Sequence, residues 1–192
     1  MRLRMRAAPA ARTDEPDREA FEQMLEPCFE RLWRYAYRLA RHAEDAEDLL
    51  AEGLAEGYRS FGAYRGDSSF ATWMYRVLTT TWLDMRRKAA RRRTDSLDEI
   101  IEREGGIRAD PASLSHADPE AALLRDTFSE DVERAMSGLP PEYRAVVVLA
   151  DVEEMDYRDV ARLLGVPVGT VRSRLHRARR ILRAALTPGH KA

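Results

Sequence analysis

Six arginines and no acid fall between Val168 and Arg183. At about 100° per residue, a helix over this stretch puts Arg172, Ser173, His176, Arg177 and Arg180 on one face and Val171 and Leu175 on the other. A face of arginines and hydroxyls suits nucleic acid. Guanidinium forks can pair with guanine edges in a major groove, and Thr170, near the helix start, can hold a phosphate. The residues just before supply a mounting. Within Asp156 to Pro167, Val160, Ala161 and Leu164 form the inner face of a first helix. The small Ala161 lets a second helix approach, and Gly165 permits the positive φ of a sharp turn. The whole reads as a helix-turn-helix whose second helix enters a groove. A solvated basic face on an ordinary helical hairpin is the competing account. The turn, the packing residues and the arginines together weigh against it.

Two further groups of residues could do chemistry. Tyr75, Thr79, Trp82 and Arg86 form a stripe at helical spacing beside an apolar face. Two aromatics and a base there could stack on and pair with a nucleic acid. The same stripe could pack against a neighbouring helix, and spacing leaves both possibilities standing. Around His42, the carboxylates Glu44, Asp45, Glu47 and Asp48 invite a metal-site reading. They occupy sequential positions that fan round a helix, and no second histidine-bearing helix accompanies them. No metal, no cofactor and no catalytic residue is expected.

Such groups need helices to hold them. The chain has 192 residues, 44% apolar and 34% charged, with a formal net charge of −1. That sum does not suggest nucleic acid, but the distribution does. Glu44, Asp45, Glu47, Asp48, Glu52 and Glu56 form an acidic block; Arg86, Arg87, Lys88, Arg91, Arg92 and Arg93 form a basic one. Phe21, Leu25, Leu32, Ala36 and Leu39 recur at helical spacing, and Leu50, Leu54, Tyr58 and Phe61 form a second stripe. Gly53 and Gly57 weaken that second helix by up to about 1 kcal/mol each relative to Ala. A turn signal over Tyr64 to Ser69 precedes a helix from about Phe70 to Arg87, capped by Ser68 or Ser69, whose buried stripe is Phe70, Trp73, Met74, Val77, Leu78 and Thr81.

From Thr94 to Pro119 the periodicity dissolves at Gly105-Gly106, Asp110-Pro111 and Asp118-Pro119, giving a linker whose start, Ser96 to Glu104, has room for one helical turn or two. Leu123, Leu124, Phe128 and Val132 then mark an amphipathic helix that ends at Gly138-Leu139-Pro140-Pro141. Pro141 suits the first position of the next helix, and Val146 to Leu149 reads as buried helix. The expected fold class is all-α: two small helical domains joined by a flexible linker, the C-terminal one containing the helix-turn-helix. Its expected parts are a tail (1–19), a first domain (20–93), the linker (94–119), a second domain (120–187) and a C-terminal tail (188–192). The single cysteine, Cys28, cannot form an internal disulfide and reads as a packing residue. Met1 to Arg12 lack the apolar core of a signal peptide, and no apolar run approaches the ~20 residues of a membrane span, so a cytoplasmic protein without membrane contact of its own is expected.

Taken in order, these segments resemble the extracytoplasmic-function (ECF) sigma factors of bacterial RNA polymerase. Asp45-Ala46-Glu47-Asp48-Leu49-Leu50 is similar to the helix that docks on the clamp helices of the polymerase β′ subunit. That implies polymerase contact by Asp45, Glu47, Asp48, Leu49, Leu50 and Glu52. Tyr64 to Arg76 resembles the loop and helix that melt and read the −10 element. The implied residues there are Gly66, Asp67, Ser68, Ser69, Phe70, Tyr75, Thr80, Trp82, Arg86 and Arg87. Leu139 to Arg144 and the helix-turn-helix resemble the domain that reads the −35 element, through Thr170, Arg172, Ser173, His176, Arg177 and Arg180. The implied function is an initiation factor, not an enzyme. It binds core RNA polymerase at the β′ clamp helices and the β flap, reads double-stranded and melted promoter DNA, and is held by an anti-sigma factor. The alternative is a stand-alone helix-turn-helix regulator, which would bind promoter DNA tightly without polymerase. Ala51 and Gly53 stand where the family often has Gln and Thr, and Thr80 where it often has Asn.

Overall fold

The computed structural model describes residues 15–101 and 129–187. The expectations for the tail before residue 15, for residues 102–128 of the linker and the following amphipathic segment, and for residues 188–192 lie outside the described residues. All regular structure among the described residues is helical: α1 (Glu15–Leu25), α2 (Phe29–Ala40), α3 (Ala43–Ser60), α4 (Phe70–Ile101), α5 (Glu130–Ser137), α6 (Pro141–Val147), α7 (Tyr157–Leu164) and α8 (Val168–Leu186). A π-helical turn, Val148–Val152, prolongs α6. Helix begins at Glu15, within the stretch expected as a tail. Helix also extends into the stretch expected as a linker. α4 runs on through Thr94 to Ile101, where the sequence holds no Gly or Pro to stop it before Gly105. The chain divides into two compact units, Met1–Thr79 and Thr80–Ala192, so the dividing point falls inside α4 rather than in the linker.

In the first unit, Pro27 breaks the Phe21 to Leu39 periodicity with a 3-10 turn, Glu26–Cys28, before α2 resumes. Cys28 is buried, and its Sγ lies 3.3 Å from the carbonyls of Met24 and Leu25. Leu32, Tyr35, Ala36 and Leu39 of α2 are fully buried. Of the expected Leu50, Leu54, Tyr58, Phe61 stripe of α3, only Leu50 is buried; the other three are half-buried. The buried face is Ala46, Leu49, Leu50, Gly53 and Gly57. The reason is proximity to α4. A Cβ at Gly53 would lie 2.4 Å from Leu78 Cδ2, and one at Gly57 would lie 2.8 Å from Met74 Sδ. The two glycines weaken α3 as a helix but let it approach α4 closely.

The second unit packs Ala135, Met136, Leu139, Val146 to Leu149, Val160, Ala161, Leu163, Val171, Leu175 and Ala178 into one core. Pro141 stands at the start of α6, as expected, and Val146 to Leu149 are buried helix. Arg144 is a buried cation in this unit. Its guanidinium donates to the carbonyls of Met136 (3.0 Å), Ser137 (2.7 Å) and Leu139 (3.4 Å), satisfying groups at the C-terminal end of α5. In the same unit, its Cζ stands 5.5 Å from the ring centroid of Trp82.

The Gly53 contact sets a test. Leu78 is fully buried, so its methyl cannot yield into solvent and must displace core neighbours. Gly53→Ala should destabilise the chain by about 1–3 kcal/mol, the range for overpacking, although alanine favours helix over glycine by up to about 1 kcal/mol. Urea unfolding followed by tryptophan fluorescence reads the sign. A stabilised variant would mean that α3 and α4 stand further apart than described.

Candidate nucleic-acid interface

The helix-turn-helix is built from its caps inward. Asp156 caps α7, its side chain accepting from the Arg158 N–H at 2.7 Å. Gly165 ends α7 in the left-handed region at φ +65°, and the Val166 N–H returns to the Ala161 carbonyl at 3.0 Å. Pro167 then leads into α8. Val160 and Ala161 are buried as expected, but the third inward residue of α7 is Leu163; Leu164 is only half-buried. From α8, Val171, Leu175 and Ala178 enter the core. Arg172, Ser173, His176, Arg177 and Arg180 are exposed, and Thr170 is half-buried at the helix start. Ser173 donates its hydroxyl to the Thr170 carbonyl at 3.0 Å, which leaves its oxygen able to accept.

Among the arginines of α8, Arg179 differs from the rest. It reaches Asp151 in the π-helical turn with a bidentate fork, Nε to Oδ2 at 3.1 Å and Nη2 to Oδ1 at 2.5 Å. That hydrogen bonding, more than any other influence, pushes the Arg179 guanidinium above its ordinary pKa. Sequence reasoning missed this pair. The partners are 28 positions apart, and no local periodicity joins them.

The loop before α4 is held at both ends. Ser69 is the cap, its Oγ accepting from the Thr72 N–H at 3.1 Å. The Tyr64 hydroxyl donates to the Ser68 carbonyl at 2.8 Å, and Gly66 takes φ +74° between them. The sequence marks Tyr64 only as the start of the turn and gives its hydroxyl no role, though a spacing of four from Ser68 allows the contact. Gly66, Asp67, Ser68 and Ser69 are all exposed. Beneath them lies an aromatic cluster. Phe21 of α1 meets Tyr58, Phe61 and Phe70 edge-on at 5.4–5.6 Å, and Tyr64 meets Trp73 at 5.3 Å. Phe70 is therefore a core residue that supports the loop, not an exposed contact.

The stripe that could pack or stack now divides. Tyr75 and Thr79 are buried. Tyr75 stacks on Tyr35 at 4.3 Å, and Thr79 Oγ1 lies 2.5 Å from the Tyr35 hydroxyl while donating to the Tyr75 carbonyl at 2.6 Å. Packing is the role of these two. Trp82 is 3% exposed and so is not an open stacking platform in this structure. Thr80, Arg86 and Arg87 are exposed; Arg87 is engaged with Asp84 at 2.9 Å and with the Leu83 carbonyl at 3.2 Å. On α3, Asp45, Glu47, Asp48 and Glu52 are exposed. Leu49 and Leu50 are buried and pack α3 onto its own unit. Among the described residues, no group of three or more His, Cys, Asp or Glu could hold a metal.

Comparison with known proteins bears on both units. A family model described as sigma-70 region 2 matches residues 24–92, and one described as sigma-70, region 4 matches residues 129–182. The chain is 35% identical over 170 residues to the ECF RNA polymerase sigma factor SigE of Mycolicibacterium smegmatis; the match takes in 88% of this chain and 63% of that protein's length. It is 33% identical over 177 residues to the RNA polymerase sigma-H factor of Pseudomonas aeruginosa, covering 92% of this chain and 91% of that one. Among solved structures, the sigma factor RpoE from Bartonella quintana, in complex with the anti-sigma factor NepR, matches with a TM-score of 0.65 at 24% identity. That match covers 90% of this chain and 99% of the solved one, and it is a likeness of fold.

The packing role of the buried stripe can be measured directly. A double-mutant cycle of Tyr35→Phe and Thr79→Val should return a coupling of about 0.5–1.5 kcal/mol, the net value of a hydrogen bond between contacting residues. Additive losses in the unfolding free energies would show that the two hydroxyls do not work as a pair.

Proposed function

The chain belongs to the ECF family of RNA polymerase sigma factors, and from that premise we propose how its surfaces divide the work of promoter-specific initiation. The −35 element falls to α8, the −10 element to the Gly66–Ser69 loop with Thr80, Arg86 and Arg87, and core polymerase to the acidic face of α3. One observation carries the proposal: α8 buries Val171, Leu175 and Ala178 while leaving Arg172, Ser173, His176, Arg177 and Arg180 exposed on a rigid mount. A recognition helix needs that division, because base edges are read only by side chains held in register with the groove.

The loop suits its role for a related reason. Taking a base out of the stack costs a few kcal/mol, and a loop already held by Tyr64 and Ser69 spends little of its contact energy on ordering itself. Asp45, Glu47, Asp48 and Glu52 fit a basic surface on the β′ clamp helices, and the second unit is assigned the β flap. Members of the family are DNA-binding initiation factors; no residue here is assigned a catalytic role. The solved relative bound to NepR supports the expectation that an anti-sigma factor holds this chain as well. Among the described residues no helix is long and apolar enough to cross a membrane. A stand-alone regulator would leave residues 24–92, which match region 2, without a task.

Two experiments test the division. Reversing Asp45 and Asp48 to Lys should weaken core polymerase binding by roughly tenfold, at up to about 1 kcal/mol per exposed charge, with unchanged circular dichroism. Undiminished affinity in a competition assay sinks the clamp assignment. In reconstituted holoenzyme, Arg177→Ala should cost about 1–3 kcal/mol and relax preference at one base pair. Arg180→Ala should weaken binding evenly across promoter variants and flatten its salt dependence. Equal losses on every variant would mean that neither arginine reads a base.

A further inference from the structure

α8 presents six arginines, but one of them is already engaged. Arg179 grips Asp151 with two hydrogen bonds, at 3.1 and 2.5 Å. Asp151 stands in the π-helical turn Val148–Val152, a winding that recurs at functional positions. By helical spacing, Arg172, His176, Arg179 and Arg183 lie along one flank of α8. Arg179 is therefore in line with Arg172 and His176, at the edge of the proposed base-reading face. Among the described residues, Arg172, Arg177 and Arg180 carry no ion pair.

We propose that Asp151 is a positioning residue that keeps Arg179 off the DNA phosphates, lowering the sequence-blind attraction of α8 while leaving its base-reading side chains untouched. The inference rests on reading α8 as the −35 helix. Its physical basis is the origin of specificity. Phosphate contacts strengthen binding to every sequence alike, whereas base contacts separate one sequence from another. A helix with one fewer free cation loses affinity for all DNA but keeps its discrimination. Arg179 stays charged throughout, since its bond to Asp151 only raises its pKa. What Asp151 controls is where the guanidinium points and what field it adds.

The test uses holoenzyme reconstituted with the full chain. Binding is measured from 50 to 200 mM salt on a promoter fragment and on a duplex of equal length with a scrambled −35 element. Asp151→Asn should steepen the salt slope on both DNAs by about 0.9, so that affinity falls about 3.5-fold more across that range than for wild type. Arg179→Gln alone should leave the slope unchanged. The double variant should return to the wild-type slope. A shallower slope for Arg179→Gln overturns the inference, because Arg179 would then already touch phosphate; this arm holds even if Asp151→Asn folds poorly. Steepening that persists in the double variant also overturns it, since the lost carboxylate charge alone would be the cause. Wild-type preference for the promoter fragment with an unchanged Asp151→Asn slope defeats this inference only. A wild-type holoenzyme blind to the −35 sequence defeats the −35 reading, and the inference with it.

Discussion

The proposed surfaces of α3 and α8 each share a helix with part of the core, and that shared cylinder is the constraint on which the rest depends. A residue step turns a helix by about 100°. A register error of one position in α8 would expose Val171 and bury Arg172. The burial of Val171, Leu175 and Ala178 therefore does two things at once. It stabilises the second unit, and it fixes the direction in which Ser173, His176, Arg177 and Arg180 point. The turn at Gly165 and the cap at Asp156 set where α7 stops and starts, which is what gives α8 a fixed surface to register against.

In the first unit the same constraint is met by shape more than by apolar area. Gly53 and Gly57 remove side chains where Leu78 and Met74 press against α3. The helix loses propensity at two positions and gains close packing along its length. At the other end of the contact, Phe21 of α1 is the hub of an aromatic cluster that runs through Phe61 and Phe70 to Tyr64 and Trp73. The exposed loop sits on that cluster. Its backbone is tied by a tyrosine hydroxyl on one side and a serine cap on the other. A loop with polar, exposed tips thus rests on a floor of buried and half-buried aromatic rings.

How far the sequence could be read follows from the same physics. The helix-turn-helix was legible because its signals are local: spacing by three and four, a small residue at the crossing, a glycine where φ must be positive. Its one slip was between adjacent leucines, Leu163 and Leu164, which differ by a single step round the helix. The buried face of α3 was misread because counting apolar residues overlooks glycine as an inward position. The stripe on α4 was ambiguous in principle, since Tyr75, Thr79 and Trp82 combine an apolar body with a polar group and fit a core or a stacked base equally well. Only the Tyr35 hydroxyl, contributed from α2, decides for Thr79. Leu49 and Leu50 entered the polymerase-contact set through the family resemblance, although periodicity already places Leu50 on an apolar stripe; a motif does not say which of its members are scaffolding. Asp151 and Arg179 were illegible because a tertiary ion pair leaves no period in the chain.

The acidic face of α3 is the point at which folding alone stops accounting for the sequence. Glu44 and Asp45 lie in the first turn, where a negative charge is stabilised by the helix dipole. Asp48 and Glu52 lie beyond that turn and gain little from it. Glu44, Asp48, Glu52 and Glu56 follow one another at intervals of four, so each neighbouring pair repels across a helical turn, at about 0.2–0.5 kcal/mol per pair. Glu56 is relieved by Arg59 at 2.7 Å, while Glu44, Asp48 and Glu52 stay exposed. A helix optimised only to fold would place lysine or arginine at some of these positions. Retained repulsion beside a fully packed core, with Leu49 and Leu50 turned inward, is stabilised when a basic surface covers the face. Under the proposed clamp assignment, the cost borne by the free chain becomes part of the free energy that favours the complex, and α3 serves a partner as well as its own domain.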